Sequence, residues 1–285
     1  MSFPALQQYL ARLQDSPQDT TLWLDNHGKA HGRYFNSTLT SAFQPIRVPD
    51  ENRVVGVQAF MRSHSSSDEG LSVWKLLDTV ATDDQSIELD RLCRLLHSIN
   101  FYRQPEMVDV DLYLSVHPRL LAAVDSNHGM SFRHVLDVLG LPHEKIVLQL
   151  PLIEARQAWL LNYVADNYRR NAFRLAVNAT DVHQASVLLT EVQPDVIKVD
   201  ARELNEIDAT LQLLKDSKNA NTNIVFKRVE SRDVFARLSE LGAEAGVAIT
   251  AQGYLWDMPK AVFSQPAETN DAGSQQSATV AAGFA

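Results

Sequence analysis

Hydrophobic and polar positions alternate in two different rhythms along this chain, and the switch between them is the first structural signal. Near the start, Leu6, Tyr9, Leu10 and Leu13 fall at helical spacing and predict one amphipathic helix. Thr21-Leu22-Trp23-Leu24 and Arg33-Tyr34-Phe35 then flank the turn-like Asn26-His27-Gly28, which predicts a hairpin that lids or braces the main domain. From Ser41 onward, short β-branched and apolar runs alternate with helical patterns. The runs predict strands at Ala42–Val48, Val54–Arg62, Val108–Val116, Ile146–Pro151, Phe173–Asn178, Val196–Asp200, Asn223–Lys227 and Gly246–Thr250. Helical patterns cover Val73–Val80, Ile87–Tyr102, Arg119–Asn127, Phe132–Leu139, Arg156–Arg170, Val182–Val192, Glu203–Ser217 and Arg232–Leu241.

The first two strands are separated only by Pro49-Asp50-Glu51-Asn52, too few residues for a crossover helix, so that pair is antiparallel. The others are joined by helices and can all run parallel. A reversed strand followed by seven helix-linked ones predicts an α/β fold, a modified (β/α)8 barrel resembling a TIM barrel. Residues 1–40 form a helix and hairpin extension, 41–263 the barrel, and 264–285, rich in Ser, Gln, Ala, Asn and Gly, a disordered tail.

One stretch disturbs the pattern. In Asp195-Val196-Ile197-Lys198-Val199-Asp200 the valines and isoleucine read as a strand buried on both faces, yet a lysine stands among them. A lysine is seldom buried without a partner, which places Lys198 at a strand end, paired with Asp200, Glu230 or a loop carboxylate. In such a barrel the carboxyl ends of the strands converge on one mouth, where chemistry is sought first.

Composition narrows the possibilities. The 285 residues are 45% apolar, and 26 Lys plus Arg against 35 Asp plus Glu give a formal charge of -9. That balance, without any basic cluster, disfavours direct nucleic-acid binding. No run approaches membrane-spanning length and the start lacks a secretory apolar segment, so a cytoplasmic protein is expected. The single cysteine, Cys93, rules out an intrachain disulfide and reads as a small core residue. The polar residues near the predicted strand ends are Gln58, Arg62, Ser115, Gln149, Asn178, Lys198, Lys227, Glu230 and Gln252. A hard divalent cation needs several oxygen ligands, usually with carboxylates, and amides plus two lysines are a poor substitute. No metal and no other cofactor is expected.

From about Phe43 to Pro259 the sequence resembles the EAL domain family, whose active members hydrolyse cyclic di-GMP with divalent metals. Phe43-Gln44-Pro45-Ile46 looks like the family's opening strand, and Gly56-Val57-Gln58-Ala59-Phe60-Met61-Arg62 stands at its signature Glu-Ala-Leu. The resemblance implies that Gln58, Ser115, Gln149, Asn178 and Lys227 occupy metal-ligand positions with groups unlike the expected ones. Lys198 and Asp200 are similar to the family's Lys-Ile-Asp strand, and Gln252-Gly253-Tyr254-Leu255 fits its closing motif. Members lacking the metal ligands act by binding other proteins. A catalytically inactive regulatory protein of cyclic di-GMP-related signalling is therefore implied, its partner an unidentified protein such as a transcription regulator or signalling enzyme. The alternative is a metal-independent receptor holding cyclic di-GMP through Gln44, Arg62, Lys198, Glu230 and Gln252; a weak phosphodiesterase is the remote one. Related domains also dimerise, through the segment that is Ala179–Leu189 here, so a homodimer is a further expectation.

Overall fold

The computed structural model describes residues 3–15, 21–35, 37–64, 82–104, 109–118, 128–152, 158–204 and 206–262. The expected helices at Val73–Val80 and Arg119–Asn127, and the tail at 264–285, lie outside the described residues.

Eight strands close into a barrel: β3 (Ser37–Val48), β4 (Arg53–His64), β5 (Asp111–Ser115), β6 (Ile146–Leu150), β7 (Arg174–Ala179), β8 (Val196–Asp200), β9 (Asn223–Lys227) and β10 (Thr250–Gln252). β3 is antiparallel to both neighbours, β4 and β10, while β4 through β10 run parallel in chain order. The expected barrel with one reversed strand is what forms. Its turn is a single 3-10 turn over Pro49–Glu51, closed by Asn52 in the left-handed conformation.

Helices α2 (Asp83–Tyr102), α3 (His128–Leu139), α4 (Ala158–Arg170), α5 (Val182–Glu191), α6 (Ile207–Asn219) and α7 (Arg232–Ala245) alternate with the parallel strands. Their starts follow from capping chemistry. Thr82 and Gln85 form a reciprocal capping box on α2, and the side chains of Asp181 and Ser231 accept from backbone N–H groups three residues on. α6 begins later than the helical pattern from Glu203 predicts, because the Asp200 carboxylate accepts from the Arg202 N–H and turns Ala201–Glu203 into a 3-10 turn. β10 differs most. The run from Gly246 to Thr250 reads as a strand, but Gly246 is the left-handed C-cap of α7 and the Val247 N–H bonds back to Gly242. The ladder with β9 therefore starts only at Thr250.

The amino-terminal extension braces the barrel. β1 (Leu22–Leu24) and β2 (Ala30–Tyr34) form a hairpin whose second strand pairs with the start of β3. Asn100 of α2 bonds the Ala30 N–H and C=O, each at 2.8 Å, and Gly32 lies so close to Leu92 and Leu96 that a Cβ would meet them at 3.1 and 2.8 Å. α1 (Pro4–Asp15) buries Leu6 beneath it. Cys93 is buried in the helix layer and its thiol is pushed up by burial, consistent with a core residue.

Inside the barrel, Ile46, Tyr113, Val147, Ala176, Val196 and Val225 pack into an apolar layer separate from the larger core between strands and helices. This layer plugs the lower barrel, so whatever binds inside is confined to the mouth.

Candidate functional site and family membership

Lys198 is the third of five residues in β8, not at its end, and its side chain points inward directly above the apolar plug. Val196, Lys198 and Asp200 share one face by strand alternation. Lys198 is 0% exposed, and its ammonium lies 5.5 Å from the centre of the Tyr113 ring. The expected carboxylate partner is not what it meets. Its Nζ donates to Gln58 Oε1 at 2.6 Å, Gln252 Oε1 at 2.8 Å and Gln149 Oε1 at 3.2 Å. Since an ammonium only donates, these contacts fix all three amides with oxygen inward.

The network continues outward from that cage. Gln252 Nε2 donates to Gln44 Oε1 at 3.1 Å, and Gln44 Nε2 to the Asp257 carbonyl at 2.8 Å. On the other side Gln149 Nε2 reaches Asn178 Oδ1 at 3.5 Å, which also accepts from Lys227 Nζ at 3.0 Å. Asn178 Nδ2 is held by the Leu150 carbonyl at 2.9 Å. Register explains why residues so far apart meet: Gln44 faces Gln58, Asn178 faces Lys198, and Lys227 faces both Asp200 and Gln252. Gln252 is fixed from behind by Gly253, where a Cβ would sit 1.9 Å from the Val229 carbonyl oxygen.

Electrostatics follow from this donor set. Burial first, and the charge of Lys227 second, push the Lys198 amine down to about 7. The carbonyl oxygens oppose them by favouring the charged form. Burial also lowers Lys227, with Asp200 pulling the other way. Asp200 is held below the usual carboxylate range, because bonds from Arg202 and the charge of Arg228 outweigh its burial. Its Oδ2 accepts from Arg202 at 2.9 Å and from Arg228 at 3.0 Å.

The glutamines, Asn178, Lys198, Lys227 and Arg228 line a cavity of about 340 Å³ that also includes Phe60, Glu230 and Tyr254. Of the sequence-derived candidates, Gln44, Gln58, Gln149, Asn178, Lys198, Lys227, Glu230 and Gln252 come together around it. Two do not. Ser115 is exposed at the end of β5, and Arg62 is exposed on β4, where it faces Thr40. At strand rise Arg62 lies ~13 Å beyond Gln58 on the same strand face. Phe60, Tyr254 and Arg228 were missed by sequence reasoning; a two-residue step from Gln58 to Phe60 along the strand face was the available signal.

A divalent metal does not fit this donor set. The three glutamine oxygens that could ligate one already converge on a buried cation, and an ion among them would stand against the Lys198 ammonium. Among the described residues no group of three or more His, Cys, Asp or Glu side chains is placed to hold a metal ion.

A barrel with one reversed strand and a polar mouth is the architecture of a known class, and comparison identifies it: the EAL domain model matches residues 34–259, so the chain belongs to the EAL domain family. BlrP1 from Klebsiella pneumoniae, as a manganese and cyclic di-GMP complex, superposes with a TM-score of 0.65 at 20% identity over 78% of this chain and 56% of that one. BlrP1 with FMN, cyclic di-GMP and no metal ions gives 0.55 at 19%, over 78% and 53%. The FimX EAL domain from Pseudomonas aeruginosa, bound to cyclic di-GMP, gives 0.61 at 17%, over 91% and 96%. The chain thus spans a little over half the length of BlrP1. Among curated proteins none matches it in sequence.

Proposed function

We propose that this protein is a noncatalytic EAL module, a regulatory component of cyclic di-GMP-related signalling that acts by associating with another protein. The observation that carries this reading is the Lys198 cage. Hydrolysis in the family is implied to need metals that lower the pKa of a water so that it can attack phosphorus. Here the inward oxygens belong to uncharged amides and serve an ammonium instead. Gln58, Gln149, Asn178 and Lys227 add no negative charge with which to recruit a metal, and Glu230 is the one carboxylate lining the cavity among the described residues. Without a metal-activated water, no nucleophile at neutral pH stands among the described residues of the mouth.

A second reading, a receptor that holds cyclic di-GMP without cutting it, is favoured by Lys227, whose ammonium faces the cavity with an amide rather than a carboxylate as its hydrogen-bond partner. The similar BlrP1 is known with cyclic di-GMP and no metal ions, which supports this reading. Calorimetric titration with cyclic di-GMP, with and without magnesium, together with a turnover assay in manganese, separates the readings. The module reading predicts no product and no heat. Heat of equal size in both buffers, still without product, establishes the receptor. Product that increases linearly with protein concentration overturns both.

A further inference from the structure

We propose that the lower end of the barrel, on the far side of the apolar plug from the mouth, holds a binding site for a small monocarboxylate with a short aliphatic body. No mouth residue takes part, so this site is independent of the protein-interaction reading. A cavity of about 390 Å³ lies there, between β3, β4, the start of β9, the end of α6 and the segment entering β10. It sits directly beneath the plug. Val48 stands two residues past Ile46 on β3 and Asn223 two before Val225 on β9, so strand alternation puts both on the face of those plug residues. Two local irregularities open the space. With Thr250 opposite Val225, the partners of Asn223 and Ile224 would be Ala248 and Ile249, but β10 begins only at Thr250 and the ladder is incomplete there. The other irregularity is a β-bulge. β4 pairs Gly56 with Ile46 and then Val54 with Arg47, which leaves Val55 unpaired and packed against the plug, where it lines the cavity. Bulges re-aim side chains and recur at barrel rims beside functional sites.

The lining has an aliphatic part and a polar edge. Val48, Val55, Leu214, Ile224 and Ile249 supply the first. No carboxylate lines the cavity among the described residues, although the chain as a whole carries a formal charge of -9. Arg53 brings no net charge, because Glu51 accepts from its Nε at 2.8 Å and its Nη2 at 2.6 Å. Lys218 is different. It spends one of its three donors on the Gly246 carbonyl at 3.0 Å and forms no ion pair among the described residues. Beside it the side-chain amides of Asn221 and Asn223, both exposed, bond to no described residue. Thr222 fixes the turn that carries them, its N–H on the Ser217 carbonyl at 2.9 Å and its hydroxyl on the Pro194 carbonyl at 2.8 Å. These donors are therefore held in place before any ligand arrives. One uncancelled cation and two amides at the edge of an aliphatic hollow match a single carboxylate on a short alkyl chain. A phosphate or dicarboxylate would bring a second negative charge that nothing in the lining meets.

The test is calorimetric titration of the full chain with three probes: hexanoate, its neutral amide hexanamide, and adipate, the dicarboxylate of the same length. Hexanoate should bind saturably at one site, about tenfold or more tighter than either of the others. Lys218→Met should weaken hexanoate by about tenfold and leave hexanamide as it was. Ala248→Phe, at an exposed loop position that lines the cavity, should fill it and abolish hexanoate binding. Both changes lie at the surface, so the thermal midpoints should stay close to that of wild type and lost binding cannot be blamed on unfolding. Lys215→Met removes the same charge from the same helix, at a side chain that faces Glu244 and does not line the cavity, and should leave the affinity for hexanoate unchanged. Absence of saturable heat with hexanoate overturns the proposal, as does equal affinity for hexanamide. Undiminished binding in Ala248→Phe would put the ligand elsewhere and overturn it too, and an equal loss in Lys215→Met would reduce the effect to general charge. None of these outcomes bears on the module reading, which turnover and cyclic di-GMP titration decide.

Discussion

Two cations are wholly buried among the described residues, Arg94 and Lys198, and they are accommodated in opposite ways. Arg94, on α2 in the helix layer, is 1% exposed and pairs with Asp90, also 1% exposed, at 2.5 Å. Asp90 also accepts from the His117 N–H at 2.9 Å, tying α2 to the segment that leaves β5. The Arg94 guanidinium stands 4.8 Å from the centre of the Phe132 ring. That is a structural cation, neutralised where it sits. Lys198 has no such anion; three amide dipoles solvate it as water would, and its charge remains to act on the mouth. Removing the partner of the first exposes an uncompensated charge, whereas removing the second relieves a burden.

The comparison breaks most visibly at Asp90. Asp90→Ala leaves Arg94 buried without its carboxylate and should cost about 3–5 kcal/mol, as breaking buried ion pairs does. At a few degrees per kcal/mol, a fall in thermal midpoint on the order of 10 °C follows. A loss below ~1 kcal/mol in a denaturant titration would mean that water reaches Arg94 and the pairing matters little.

Lys198→Met should behave otherwise. Its amine is pushed to about 7 in the folded state, well below an unfolded lysine, so from there upward the native state binds fewer protons than the unfolded one. Wild-type stability must then rise with pH across that window, by at most roughly 1.4 kcal/mol per unit. Below pH 7 both states are protonated and the contribution is flat, at its most unfavourable. The variant, freed from burying an ammonium, should match or exceed wild type at pH 6 and lose that advantage between pH 7 and 10. Parallel pH profiles for the two proteins would contradict this.

A smaller effect sharpens the picture at the rim. Arg228→Gly exchanges a residue strained at φ of 61° for one suited to its backbone, a gain of about 1 kcal/mol, less the fraction of a kcal/mol that an exposed ion pair contributes. Chemical unfolding should show it equal to or slightly more stable than wild type; a loss above ~1 kcal/mol would mean the Asp200 contact dominates.

The barrel was readable in the sequence because its strands are short apolar runs punctuated by helix-period segments, and because Pro49 to Asn52 is too short for anything but a reversal. The last strand was misplaced because a β-branched run after Gly246 looks the same whether it is a strand or the exit from a capped helix. The site was readable as a set of positions but not as a network. Lys198 meets partners 140, 49 and 54 residues away, and no local pattern announces that three glutamines turn their oxygens inward together. The Asp90–Arg94 pair was hidden for a different reason. Spaced four apart on a helix, it has the look of a solvated pair; only its stripe, shared with Ser86, His97 and Phe101, marks the buried face.

Soaking a crystal of the protein in manganese and computing an anomalous difference map tests the central claim most directly. With Lys198 holding the amide oxygens, no anomalous peak should lie within coordinating distance of Gln58, Gln149 or Gln252. A manganese ion seated among those oxygens, with the lysine displaced, would contradict the account.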